Sequence, residues 1–306
     1  MPVMEGKAVL FKELGGVDAI PLCLRTKDVD EIVNTVRLLA GSFGGINLED
    51  ISSPRCFEIE RRLKECCDIP IFHDDQHGTA IVALAAVLGA LRITGKSPAD
   101  LSVVINGAGA AGVATANLLS DSGFANLVLC DSRGAIHKGR SDLNAEKLQI
   151  ARTTNHESRK GSLADVMVGT DIFIGVSVSD CVTEKMIKSM NKEPIVFPMA
   201  NPIPEIMPDL ALGAGAVIVG TGRSDFPNQI NNALAFPGVF KGALSVFASD
   251  INEDMKKAAA MAISEHISDD DLSEDNIIPS PLDRTVAVRV AEAVAKAALE
   301  SGAARI

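Results

Sequence analysis

The chain has 306 residues, 47% of them apolar and 23% charged. That supplies cores for about two domains at roughly 150 residues each, and it excludes a disordered polypeptide, which pairs low hydrophobicity with high charge. The net charge of −11 and the absence of Trp and Tyr argue against nucleic-acid binding, because an acidic surface repels phosphates and base-stacking platforms need aromatic faces.

Six cysteines (Cys23, Cys56, Cys66, Cys67, Cys130, Cys181) form no C-x-x-C pair, so neither a zinc set nor a disulfide framework is expected. They read as small buried hydrophobes in a reducing, cytoplasmic compartment. Glu5 and Lys7 interrupt the N-terminus, which is unlike a secretory signal. The longest apolar stretch, residues 80–92, reads as a buried helix too short for a bilayer, and no membrane partner is expected.

In chain order, residues 8–11 and 18–24 read as short strands. Asp28 is placed to cap a helix whose apolar positions Val29, Ile32, Val33, Val36 and Leu39 recur at helical spacing. A strand at 46–48 runs into Glu49-Asp50. Ser53 and Pro54 then open a second helix that runs to about Cys67. Another strand, 69–72, runs into His73-Asp74-Asp75, and an Ala-rich helix follows over 79–91. From residue 101 apolar β-rich runs (101–105, 126–130, 171–178, 195–199, 216–219) alternate with helical stretches, which predicts a parallel sheet covered on both faces. The last part is helical over 252–267 and 285–301, around an acidic loop at 269–281. The expected fold is therefore α/β. A doubly wound parallel-sheet domain (93–242) follows a partial α/β substrate and metal domain (1–92), and C-terminal helices (243–306) pack back on the first domain.

Gly107, Gly109 and Gly112 fit G-x-G-x-x-G between an apolar strand and a small-residue helix, the Rossmann-like setting for a pyrophosphate at a helix N-terminus. Gly107, Ala108, Gly109, Ala110, Ala111 and Gly112 are the candidate phosphate-binding residues. Asp131 closes the next strand, where it would accept from the ribose hydroxyls and lean the site toward NAD. Arg133, Lys138 and Arg140 follow closely and keep NADP open. The alternative is a glycine turn that only closes strand onto helix.

The segments Gly45-Ile-Asn-Leu-Glu49-Asp50 and Pro70-Ile-Phe-His-Asp74-Asp75 have the same form and are joined by one helix. As one βαβ unit they would bring four carboxylates to the same sheet edge. Such a cluster is unfavourable unless a cation neutralises it, and oxygen donors suit Mg²⁺ or Mn²⁺. The alternative is that each acid caps its own turn. His73 and His77 read as donors beside this cluster, and His137, His156 and His266 as surface residues.

Taken together with Pro2-Val-Met-Glu-Gly-Lys7, Phe72-His-Asp-Asp-Gln-His-Gly-Thr-Ala80, Ala200-Asn-Pro202, Thr221-Gly-Arg-Ser-Asp225 and Asn228-Gln-Ile-Asn-Asn-Ala-Leu-Ala-Phe-Pro-Gly238, the chain resembles the malic enzyme family in its short bacterial form, over essentially its whole length. The resemblance implies oxidation of (S)-malate with NAD(P) and release of pyruvate and CO₂. It implies that Lys7 takes the proton from the malate hydroxyl, with Asp74 interacting with that lysine. Glu49, Asp50 and Asp75 are the implied metal ligands. Asn201 and Asn232, with Asn231 adjacent, are implied to hold cofactor and substrate. It also implies a homodimer or larger homo-oligomer.

In the family a tyrosine from an N-terminal segment protonates the enol. With no tyrosine in this chain, an N-terminally truncated substrate domain and impaired turnover are expected. The alternatives are a non-catalytic NAD- and metal-binding remnant or subunit, and an amino-acid-dehydrogenase-like enzyme, which the acidic strand ends oppose.

Overall fold

The computed structural model describes residues 1–306. The chain runs through α1 (Pro2–Leu10), a π-helical turn (Phe11–Gly15), α2 (Val29–Leu39), β1 (Ile46–Leu48), α3 (Arg55–Cys66), β2 (Ile71–His73), a second π-helical turn (Asp74–Gly78) and α4 (Thr79–Thr94). It continues with β3 (Ser102–Asn106), α5 (Ala110–Asp121), β4 (Asn126–Asp131), β5 (Gly134–Ala135), α6 (Ala145–Thr153), α7 (Leu163–Met167), β6 (Ile172–Gly175), α8 (Glu184–Lys188), β7 (Ile195–Pro198), α9 (Pro208–Gly213) and β8 (Ile218–Val219). Three helices close the chain: α10 (Phe236–Ser245), α11 (Glu253–Ser264) and α12 (Arg284–Glu300).

Two compact units divide these elements. Unit 1 takes Met1–Val82, Asn232–His266 and Ser280–Ile306; unit 2 takes Ala83–Asn231 and Ile267–Pro279. In unit 1, β1 and β2 pair in parallel with Ile46 opposite Ile71 and Leu48 opposite His73. Helix α3 makes the crossover between them. The register brings the residues that follow, Glu49-Asp50 and Asp74-Asp75, out at the same edge. Ile32, Val33 and Val36 of α2 close a core with Leu48, Ile59, Leu63 and Ile71. Asp28 caps α2, its side chain accepting from the Glu31 N–H at 3.0 Å.

Unit 2 is a six-stranded sheet in the order β5-β4-β3-β6-β7-β8, parallel except for the β4–β5 pair. Every residue of β6 and β7 is buried, as expected of strands covered on both faces. The order reverses between β3 and β6, so the loops after these two strands diverge and leave a crevice at their carboxyl ends.

Several local expectations change. Residues 8–11 are not a strand. They belong to α1 and its π turn, where Phe11 is buried against the rings of Phe236 and Phe240 at centroid distances of 4.7 and 5.2 Å. A short apolar run fits either period, and here aromatic packing selects the helix. Residues 18–24 form no regular element, since no neighbouring strand pairs with them. Pro54, not Ser53, occupies the cap of α3, without a side-chain bond. The apolar helix extends further than expected: Asp74–Thr94 is 21 residues, long and apolar enough to cross a membrane, and 67% of its most apolar window is buried within the protein, as in a core helix. Only Cys56 and Cys130 are fully buried, whereas Cys23 and Cys66 are exposed. His137 and His266 are half-buried rather than surface residues, and His266 Nε2 lies 3.1 Å from Asp283 Oδ2.

Candidate active site

Lys7 projects from α1 into a group of carboxylates at the β1–β2 edge. Its Nζ donates to Asp74 Oδ2 and lies 3.3 Å from Glu49 Oε2, and the Phe236 ring packs 4.4 Å away. Asp74 is fully buried on the π turn after β2. Asn232, which begins the second stretch of unit 1, donates Nδ2 to the same Asp74 oxygen at 2.5 Å. Gly78 makes room for this arrangement, since a Cβ there would collide with the Asp74 carboxylate. Burial lowers the Lys7 pKa, but Asp74 and then Glu49 outweigh it, and the net effect is a rise. As it stands, Lys7 is firmly an ammonium.

The carboxylates carry the opposite burden. Glu49 is pushed up to about 7, by burial first and Asp74 next. Asp74 is pushed up to about 6 by burial, which Lys7 only partly offsets. One ammonium therefore does not balance the acids gathered here. Glu49, Asp50 and Asp75 each bring an oxygen within 4.8 Å of the others. Asp50 adopts a left-handed backbone, φ 56°, which turns the chain so that its N–H donates to Asp75 Oδ2 at 2.8 Å. For a non-glycine residue that conformation carries some strain. Three clustered oxygen donors with an uncompensated charge fit a hard divalent cation.

The π turn is braced from behind. Glu60 of α3 accepts from Gln76 Nε2 at 3.0 Å and meets His77 Nε2 at 2.6 Å, while Lys256 of α11 lies 3.0 Å from His77 Nδ1. Glu60 and Lys256 are both buried. Burial, then Lys256, lowers the His77 pKa, so the imidazole is neutral, with Nε2–H donating to Glu60 and Nδ1 accepting from Lys256. The sequence places His77 beside the acids but gives no signal for Glu60 or Lys256, whose side chains come from distant helices.

The remaining sequence candidates lie in unit 2. Gly107 turns the chain at φ 119°, with no room for a Cβ against the Val176 carbonyl. Gly109 caps α5, and Ala110 opens it. Asp131 ends β4 as expected, but it is already engaged. Arg140 reaches it through Nη1 at 2.8 Å and Nη2 at 3.1 Å, and Lys147 Nζ at 2.6 Å. Burial alone would raise Asp131, yet these two cations hold it at about 2. Asn201 is exposed and packs against Gly222. Asn231 is half-buried and falls in unit 2, one residue before the stretch of unit 1 that begins at Asn232.

Residues 1–64 match the family described as malic enzyme, N-terminal domain, and residues 76–299 match malic enzyme, NAD binding domain. The chain belongs to the malic enzyme family. Among malic enzyme relatives, the bifunctional malic/malolactic enzyme of Bacillus subtilis (strain 168) is 59% identical over 307 residues, covering 100% of this chain and 75% of that protein. The NAD-dependent malic enzyme of Geobacillus stearothermophilus is 54% identical over 305 residues, covering 100% of this chain and 64% of the relative. The crystal structure of malic enzyme from Pyrococcus horikoshii superposes with a TM-score of 0.96 at 44% identity, over 99% of this chain and 72% of that one. The chain thus spans 64% to 75% of these malic enzymes' lengths.

Proposed function

We propose that this chain performs the oxidative decarboxylation of (S)-malate to pyruvate and CO₂, with NAD or NADP as hydride acceptor. The observation that carries the reading is Lys7 held between Asp74 and Glu49, at the border of a three-carboxylate cluster whose charge this one ammonium offsets only in part. Glu49, Asp50 and Asp75 would hold Mg²⁺ or Mn²⁺, which when bound supplies Lewis acidity toward a chelating hydroxyl and carboxylate. Lys7 is the group that takes the hydroxyl proton. It must first pass its own proton to Asp74, the carboxylate it already contacts, or to solvent, and positive charge gained beside Glu49 weakens the ion pairs that retain it. Asn232 keeps Asp74 turned toward Lys7, and its carboxamide can orient a substrate carboxylate without adding charge. Residues 1–92 make the malate and metal domain on this reading, together with the helices that return from 243–306. Residues 93–242 make the cofactor domain, with Gly107–Gly112 on the pyrophosphate, Asp131 on the adenosine ribose and Asn201 on the cofactor.

Asp131 with its two cations supports NAD while leaving NADP accessible, because an Arg near this position can accept a 2′-phosphate. A homodimer or larger homo-oligomer is part of the same proposal. Val3, Ile20 and Leu22 are exposed and line a cavity of about 460 Å³ in unit 1, and apolar side chains gathered on a surface favour association. Light scattering of the purified protein checks this, and a monodisperse monomer contradicts it.

Purified protein supplied with Mn²⁺, malate and NAD should form NADH, and Lys7→Met should abolish it. No NADH with either dinucleotide sinks the proposal. A second reading rests on composition: the chain contains no tyrosine, the residue type to which the resemblance assigns enol protonation. It expects NADH to form without a matching yield of pyruvate.

A further inference from the structure

Glu205 is fully buried in unit 2, and hydrogen-bond donors rather than a cation hold its carboxylate. Oε1 accepts from the Ser177 N–H at 2.8 Å and from Ser177 Oγ at 3.2 Å, and Oε2 accepts from the Ala200 N–H at 3.0 Å. The Glu205 carbonyl also accepts from the Val182 N–H at 2.9 Å. Gly175, the last residue of β6, leaves the space the carboxylate fills, since a Cβ there would strike it. One side chain thus ties the loop after β6 to the loop after β7.

The tie reaches the glycine turn. Asn106 Nδ2 donates to Ser177 Oγ at 2.8 Å, the Val176 N–H donates to the Asn106 carbonyl at 2.9 Å, and Gly107 packs directly on the Val176 carbonyl. At the other end, the Ala200 N–H held by Glu205 immediately precedes Asn201. The connection therefore runs from the turn at Asn106–Gly107, through Ser177 and Glu205, to the base of the Asn201 loop, across the point where strand order reverses.

We infer that Glu205 is a positioning residue for the dinucleotide, fixing the β6 and β7 loops against the glycine turn and so placing the nicotinamide half relative to the pyrophosphate. The inference rests on the cofactor reading of unit 2. It depends on two acceptor oxygens, because all three partners of the carboxylate are donors, and a carboxamide would set its N–H₂ against one of them. The adenine half, on the β3–β4 side, does not use this tie.

The test is NADH binding by its own fluorescence and ADP binding by calorimetry, in wild type, Glu205→Gln and Ser177→Ala, with a thermal melt of each. Glu205→Gln should weaken NADH binding about tenfold, as expected for a lost charge-assisted hydrogen bond facing an unpaired donor, and leave ADP within about twofold. Unchanged NADH affinity overturns the inference. So does a parallel fall in NADH and ADP, which marks a merely structural role. If Glu205→Gln does not fold, Ser177→Ala decides: about threefold weaker NADH with ADP unchanged supports the inference, and no loss overturns it. Wild type that binds neither NADH nor ADP refutes the cofactor reading itself, and the inference with it.

Discussion

Asn232 Nδ2 donates to Asp74 Oδ2 at 2.5 Å, joining residues 158 positions apart in one part-buried contact. The same oxygen receives the Lys7 ammonium. Three distant stretches of unit 1 therefore converge on one carboxylate, and Asp74 is both the most buried acid of the site and its organising group.

Removing the amide donor should be felt. Asn232→Ala leaves Asp74 with Lys7 alone and should destabilise the protein by about 1–3 kcal/mol, the range for bonds to charged groups. Asn232→Asp should cost more, because it sets a second carboxylate against the first. Urea melts of both variants check the order, and equal stability of the two contradicts it.

Removing the ammonium is more severe. Lys7→Met strands Asp74 as an unpaired buried charge, with a loss of about 3–5 kcal/mol near neutral pH. The penalty should shrink in acid, since Asp74 is already pushed up to about 6 and can protonate instead. Denaturation of the variant at two pH values reads this directly, and a pH-independent loss contradicts it.

The metal-free protein should also show a signed pH dependence. Glu49 is raised from 4.5 to about 7, so across that window the folded state binds more protons than the unfolded chain and stability falls as pH rises. Its contribution is most favourable below the lower value. His77, lowered by burial, acts with the opposite sign, so the effect is read as a difference. Chelator-treated wild type should lose stability relative to Glu49→Gln as pH rises through this range, and Mn²⁺ should restore it in wild type only. Parallel melting curves with and without Mn²⁺ contradict this.

At the end of β4, Asp131→Asn should weaken the hold on Arg140 and Lys147 and free them for an anion. The ratio of NADP to NAD affinity should rise about tenfold, the scale of a charge-assisted bidentate contact. Competitive titration against NADH measures it, and an unchanged ratio removes Asp131 from cofactor selection.

Much of this was legible in the residues. Matched strand endings, Asn-Leu-Glu-Asp and Phe-His-Asp-Asp, predicted acids at one sheet edge, because parallel pairing with a crossover helix forces that outcome. Asp28 predicted its own helix start through a purely local bond. Other features depend on partners that sequence spacing does not reveal. Residues 8–11 carry an apolar run of either period, and only Phe236 and Phe240, far along the chain, decide for a helix. Arg140 was visible as a nearby charge, but its bidentate lock on Asp131 depends on the antiparallel β4–β5 turn. Glu205 carries no local signature, and its burial follows from two loops closing over Gly175.

The most direct measurement is Mn²⁺ binding by titration calorimetry to wild type, Glu49→Gln and Asp75→Asn. One ion should bind wild type per chain, with each substitution weakening it at least tenfold. Equal affinity in all three, or no binding to wild type, would contradict the account.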